Sequence, residues 1–442
     1  MAFPDSRLRA RCRLRPRDHL AVGDVHAAGA AAEDPPVTAA PSVFDAGLPT
    51  LTYELTDTPQ QIYPQLRAAQ QTAPIALGPI GPEVLSYPLA RTVLGDPRFR
   101  IPPGIHLSAH GLTSGELWDR VTRSILCMEG DEHRRLRSLV SRAFTPRATA
   151  RMDETIHQVI NQLIDSVSAD GGCEFVEQIA RPYPIPVICA LFGAPRQDWK
   201  LFSTWAEDIF KIVSFDIDLV DEEPTVLRAW DAFDAYIDDM IAHRRRHLTT
   251  DLLSELIRAE DGGDRLDAGE VRMLAFSILI AGTDTTRTQL AASMQALCEH
   301  PDQLALLRDR PELAMRAVEE TMRHSPSMCS TVRTVGEDVT IGEYTFPAGA
   351  FIVANTYAAN RDPAIYDDPT RFDITRDDPP PILTFGGGAH YCLGANLARR
   401  ELCEALKILA RRLPNPKVAG PAPWRPLLGM SGPTSLPVEF DR

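Results

Sequence analysis

Basic residues are in the minority. Lys and Arg total 46 against 60 Asp and Glu, which leaves the 442-residue chain at a formal net charge of −14. A chain of that sign lacks the cationic face that phosphate backbones demand, and this excludes a general nucleic-acid binder. Lysine is nearly absent, confined to Lys200, Lys211, Lys407 and Lys417. Aromatic residues make up only 7%. No apolar run reaches the roughly 18 residues of a membrane span; the longest candidate, 273–282, is too short. The N-terminus has no secretory apolar core. The eight cysteines contain no C-x-x-C pair, and so long a chain argues against a secreted disulfide framework. Most of them read as buried free thiols. Cys392 is the exception, because its neighbours are glycine-rich and polar.

What the chain does have begins with arginine. Arg7, Arg9, Arg11, Arg13, Arg15 and Arg17 alternate with other residues, and an Ala-, Asp-, Pro- and Gly-rich stretch follows. Residues 1–44 read as a disordered tail, because such a segment cannot bury enough apolar surface to order itself. A transit peptide or a contact with an anionic surface is the alternative. Without this tail the body is more acidic than the whole.

From about Phe44 the pattern is that of a folded chain. Apolar spacing predicts helices over 59–71, 88–94, 116–127, 132–144, 152–168, 184–192, 197–213, 225–246 and 252–258. Residues 101–114 read as a Gly/Pro/His loop. Short strands at 330–335, 339–341, 344–346 and 351–355 predict a small sheet. The fold class is therefore mainly α with a small β region. Length alone suggests two or three domains at about 150 residues each.

One helix is unusually long. Asp267 and Glu270 have the spacing of a capping box, and Pro301 stops the pattern. Residues 268–300 then span about 50 Å. The middle reads Ala281-Gly282-Thr283-Asp284-Thr285-Thr286, poor helix-interior residues directly after an apolar run. Such a break suggests that something approaches the backbone there; an ordinary kink with satisfied hydroxyls is the alternative. In the helix predicted over 312–324, Glu320 and Arg323 share a face and can pair.

Residues 384–400 read T-F-G-G-G-A-H-Y-C-L-G-A-N-L-A-R-R. The pattern starts a helix after Cys392, where the positive end of the dipole and free N–H groups favour thiolate over thiol. Gly386, Gly387 and Gly388 let the backbone turn tightly and approach a flat object, and Gly394 removes a side chain just past the sulfur. A single thiolate on a tight loop suits an axial metal ligand better than a zinc cage. Haem held by one cysteine is a known solution of this type. A dinucleotide loop fits poorly, because Tyr391 stands where the fingerprint needs glycine. A cysteine nucleophile and a plain glycine turn stay open.

Phe385 to Gly394, read as F-G-x-G-x-H-x-C-x-G, resembles the haem-binding signature of the cytochrome P-450 superfamily. Ala281 to Thr286 resembles that family's oxygen-activating motif, and Glu320-x-x-Arg323 its E-x-x-R motif. The three stand in the family's order and spacing, and the similarity runs from about residue 45 to the end. It looks like the soluble bacterial branch. The departures are His390, where the family often has Arg, and Pro369-Thr370-Arg371-Phe372, which lacks the Glu of the family's P-E-R-F segment.

The resemblance implies one haem-thiolate domain over 45–442, with the long helix crossing the distal face of haem b (iron protoporphyrin IX). Cys392 would be the axial thiolate. His133, Arg137, Arg333 and His390 would face the propionates, and Phe385, Gly388 and Gly394 would shape the cysteine loop around the cofactor. Asp284 and Thr285 would manage protons, and Gly282 would leave room for O2. Glu320, Arg323 and Arg371 would form a buried charge network. Substrate contacts are bracketed at 101–113, 210–220, 277–281, 327–331 and 430–433; these are mostly apolar or small, so a lipophilic small molecule is implied.

The implied activity is a cytoplasmic monooxygenase with a ferredoxin and a ferredoxin reductase as electron donors. Arg134, Arg135 and Arg399 are candidates to meet the acidic ferredoxin. A peroxide-driven peroxygenase or decarboxylase, and a non-catalytic haem or ligand-binding protein, are the alternatives.

Overall fold

In a computed structural model, which describes residues 40–213, 217–261, 266–427 and 429–442, sixteen α-helices appear among the described residues. The first eight are α1 (Pro59–Thr72), α2 (Tyr87–Gly95), α3 (Ile105–Ala109), α4 (Glu116–Thr122), α5 (Gly130–Ser141), α6 (Pro146–Thr149), α7 (Asp153–Asp165) and α8 (Pro184–Phe192). Then come α9 (Trp199–Phe210), α10 (Leu219–Arg244), α11 (Leu252–Asp261), α12 (Ala268–Glu299), α13 (Pro301–Asp309), α14 (Ala314–His324), α15 (Thr356–Ala359) and α16 (Ala395–Arg412).

The capping box starts α12 as its sequence dictates. Glu270 N–H donates to Asp267 Oδ1 at 2.8 Å, and Asp267 N–H donates to Glu270 Oε2 at 2.9 Å. The helix runs 32 residues without a break, about 48 Å. Pro301 does more than stop it. It is the first residue of α13, where its missing N–H has no partner to lose. The helices α8, α9, α10, α14 and α16 pack around α12, and most of the apolar core gathers there.

The strands pair across long stretches of sequence. β1 (Ile75–Leu77), β2 (Pro82–Val84), β3 (Phe99–Arg100), β5 (Thr331–Val335) and β8 (Phe351–Ala354) form one sheet in the order β1-β2-β8-β5-β3. β4 (Gly172–Glu174), β9 (Lys417–Val418) and β10 (Pro437–Glu439) form a second sheet, ordered β4-β10-β9. β6 (Val339–Ile341) and β7 (Tyr344–Phe346) pair only with each other. The single small sheet read from 330–355 is thus divided, with β5 and β8 recruited by partners far upstream.

Several boundaries differ from the sequence reading. The loop at 101–114 contains α3. The helix predicted over 116–127 ends at Thr122 and continues as turns. α10 starts at Leu219, where Asp218 Oδ1 accepts from Val220 N–H at 3.1 Å and caps it. Residues 1–39 of the predicted tail and 214–216 of a substrate bracket lie outside the described residues. Ordered pairing begins before Phe44: Val43 is buried, and its N–H donates to the Thr345 carbonyl at 2.9 Å.

Candidate functional site

The loop that carries Cys392 is closed by its own backbone. Cys392 N–H donates to the Phe385 carbonyl at 2.8 Å, Gly386 N–H to Leu383 at 2.9 Å and Tyr391 N–H to Gly388 at 3.2 Å. Gly388 has φ of 61°, and a Cβ there would stand 2.7 Å from the Leu94 carbonyl oxygen. The missing side chain at Gly388 therefore serves the packing of the loop on the end of α2. Gly394 differs: a Cβ built on it meets nothing within 4 Å. The Phe385 ring lies under the Arg399 guanidinium, 4.4 Å from its centroid.

Cys392 is exposed. The helix expected to start directly after it begins at Ala395, with Gly394 as the cap. A loop N–H from Gly394, with Arg137 and Arg399, takes over the role expected of the helix dipole. Although the residue is exposed, enough protein surrounds the sulfur for desolvation to dominate, and the thiol is pushed up from its ordinary range. Forming the thiolate therefore calls for a bound cation, since a coordinating thiol gives up its proton.

The break expected in the long helix is absent. Thr283 and Thr285 hydroxyls donate to the carbonyls of Leu279 and Ala281 at 2.6 and 2.7 Å, and the helix absorbs them. Ala281 is the one exposed residue between Val271 and Gln289. Gly282 does not provide the open space expected of it, because a Cβ there would stand 2.8 Å from Ile188 Cδ1 of α8. Its small size lets α8 and α12 approach. Asp284 is 1% exposed and ion-paired with Arg287. Burial raises its carboxyl to about 6, with Arg287 and Arg425 acting against the rise.

The four predicted propionate partners come together from three separate stretches of chain. The rings of His133 on α5 and His390 on the cysteine loop stack at 4.4 Å and 28°. Arg137 donates to the Tyr391 carbonyl. Arg333 on β5 is 3% exposed and donates to the neutral acceptors Thr331 Oγ1 and Val332 O at 2.8 and 3.0 Å. Burial lowers Arg333 to about 10 and His133 to about 4.

The buried charge network is present with one substitution of partner. Arg323 Nε and Nη2 donate to Glu320 at 2.7 and 2.8 Å, and Nη1 donates to the Pro369 carbonyl at 2.7 Å. Arg371 contributes only its carbonyl to Arg323; its guanidinium is 60% exposed and pairs with Asp373 at 2.6 Å. Arg376 takes the place expected of it, 3.2 Å from Glu320 Oε1 and 14% exposed. Nothing local in the sequence separates Arg376 from other surface arginines. The three arginines expected at a partner surface are engaged: Arg134 with Asp131, Arg135 with Glu270 and Arg399 with Glu319.

These residues fit a haem held through one sulfur. Cys392 is an exposed residue, a Cβ at Gly394 would meet nothing within 4 Å, and Arg333 keeps a buried positive charge that donates to neutral acceptors. Among the described residues no group of three or more His, Cys, Asp or Glu could hold a metal ion.

The chain is 35% identical over 381 residues to luteothin monooxygenase of Streptomyces thioluteus, covering 85% of this chain and 92% of that protein. It is 37% identical to mycinamicin IV hydroxylase/epoxidase of Micromonospora griseorubida, covering 84% and 94%. Its fold matches the crystal structure of CalO2 with a TM-score of 0.81 at 32% identity, covering 88% and 99%. Residues 116–413 match the family model for Cytochrome P450, and the chain belongs to the cytochrome P450 family of monooxygenases.

Proposed function

We propose that this monooxygenase hydroxylates a lipophilic small molecule with O2, using haem b bound through Cys392 and electrons from a ferredoxin and its NAD(P)H-dependent reductase. The observation that carries this reading is Cys392, an exposed residue on a backbone-locked loop, with His133, Arg137, Arg333 and His390 gathered around that loop. Bound there, haem supplies one-electron and O2 chemistry, with the thiolate pushing electron density to the iron.

The chain's own residues do the rest. Cys392 anchors the cofactor. Arg137 and Arg333 answer the propionate charge, and the stacked His133 and His390 present ring N–H groups to the same anions. Thr285, partly buried on α12, donates its proton to Ala281 O. Its oxygen lone pairs remain as acceptors beside the exposed Ala281. Asp284, at about 6, lies close enough to neutrality to carry a proton inward. Arg287 orients that carboxylate through their ion pair. This acid and alcohol favour the O2-dependent route over a peroxide-driven one.

The apolar character of the bracketed stretches supports a lipophilic substrate, and the relatives named for luteothin and mycinamicin IV support a small molecule. No described helix is long and apolar enough to cross a membrane. The seven described cysteines are free, which supports a reducing, cytoplasmic setting. A ferredoxin would have to compete for Arg399 with Glu319, so docking should weaken with salt.

The test uses the purified holoprotein with a panel of lipophilic compounds. Oxygenated product with ferredoxin, reductase and NAD(P)H supports the reading. Product with peroxide alone would replace it with a peroxygenase.

A further inference from the structure

One carboxylate stands among the gathered cations. Glu129 precedes α5, yet its side chain makes no cap bond to that helix. Its Oε1 accepts from Ile101 N–H at 2.8 Å. The same oxygen lies 3.2 Å from His390 Nε2, off the line of a hydrogen bond. Its negative charge acts on His133, His390 and Arg333 alike. Those elements come from three parts of the chain, α5, β5 and the cysteine loop, and Ile101 opens the stretch bracketed for substrate. Arg137 is directed to a backbone carbonyl and Arg333 to neutral acceptors, and Glu129 is a carboxylate already placed beside Arg333 and His390.

We propose that Glu129 is a counter-carboxylate: it balances the cations of the cofactor pocket and thereby weakens their hold on the two propionates, setting how readily haem leaves. This rests on the haem assignment above. A cofactor that brings two negative charges to this pocket meets the attraction of Arg137 and Arg333 together with the repulsion of Glu129. In a partly buried setting the repulsion is not screened away. The carboxylate is 35% exposed, which leaves it room to turn aside without leaving the pocket.

Glu129→Gln keeps an oxygen acceptor for Ile101 N–H and removes the charge. Glu129→Ser removes the charge and the reach. The experiment follows haem transfer from each holoprotein to excess apomyoglobin by visible absorbance. Both neutral variants should lose haem about fivefold to tenfold more slowly than the parent, which is opposite to the effect of losing a merely structural contact. Unchanged or faster loss in both would overturn the proposal. So would failure of both to be isolated with haem when the parent is. A parent protein that binds no haem at all would instead overturn the haem assignment and leave the retention comparison without an object.

Discussion

Asp284 gives its carboxylate to Arg287, one turn further along α12, while the hydroxyl of the adjacent Thr285 bonds back to Ala281. Two neighbours in sequence thus answer to different partners. The guanidinium also lies over the Phe210 ring at 5.9 Å, which holds the ion pair against α9. Burial raises the Asp284 carboxyl, and Arg287 is the largest influence in the other direction.

Arg287→Gln should therefore raise Asp284 further above about 6. If Asp284 passes protons inward, the alkaline limb of the pH–rate profile moves up by on the order of one pH unit. A downward move would remove Asp284 from that role.

The same shift has a consequence for stability. The folded carboxyl titrates above its unfolded value, so the folded state holds the proton more tightly. The contribution of this group to stability is full below about pH 4 and falls as pH rises towards about 6. Asp284→Asn should flatten that decline in denaturant titrations at a series of pH values.

Arg376 and Arg371 offer a direct contrast. Arg376 contacts the buried Glu320 at 3.2 Å, whereas the Arg371 guanidinium is 60% exposed. Arg376→Ala should cost about 1.5–3 kcal/mol, and Arg371→Ala about 0.5 kcal/mol or less. Arg323→Ala, which strands Glu320 in the core, should cost about 3–5 kcal/mol. Urea unfolding of the holoproteins ranks the three.

Gly282 separates two explanations of the same residue. A Cβ there meets Ile188 Cδ1 at 2.8 Å. Gly282→Ala alone should gain little, because helix propensity worth about 1 kcal/mol is offset by crowding. Combined with Ile188→Val, it should become stabilising, with a coupling of about 1 kcal/mol in a double-mutant cycle. Additive effects would show that α8 does not set the need for glycine.

How much of this was legible in the sequence depends on how local the cause is. The α12 start was readable because Asp267 and Glu270 fix it within one turn. Cys392 stood out in the sequence because Gly386 to Gly388 precede it and a helix follows within a few residues. The sheets were not, because β8 finds a partner in β2 and β5 in β3 at separations that no local pattern encodes. Arg376 escaped for the same reason: its contact with Glu320 is made across 56 residues. Gly282 and Gly388 were recognised as positions that need glycine. The groups pressing on them, Ile188 and Leu94, could be seen only once the chain had folded.

The central claim is that Cys392 holds the cofactor iron as a thiolate. Its most direct test is the carbon monoxide spectrum of the reduced holoprotein, with Cys392→Ser and the buried Cys403→Ser side by side. The parent and Cys403→Ser should give a thiolate-type spectrum, and Cys392→Ser should lose it. A thiolate-type spectrum that survives in Cys392→Ser would contradict the account.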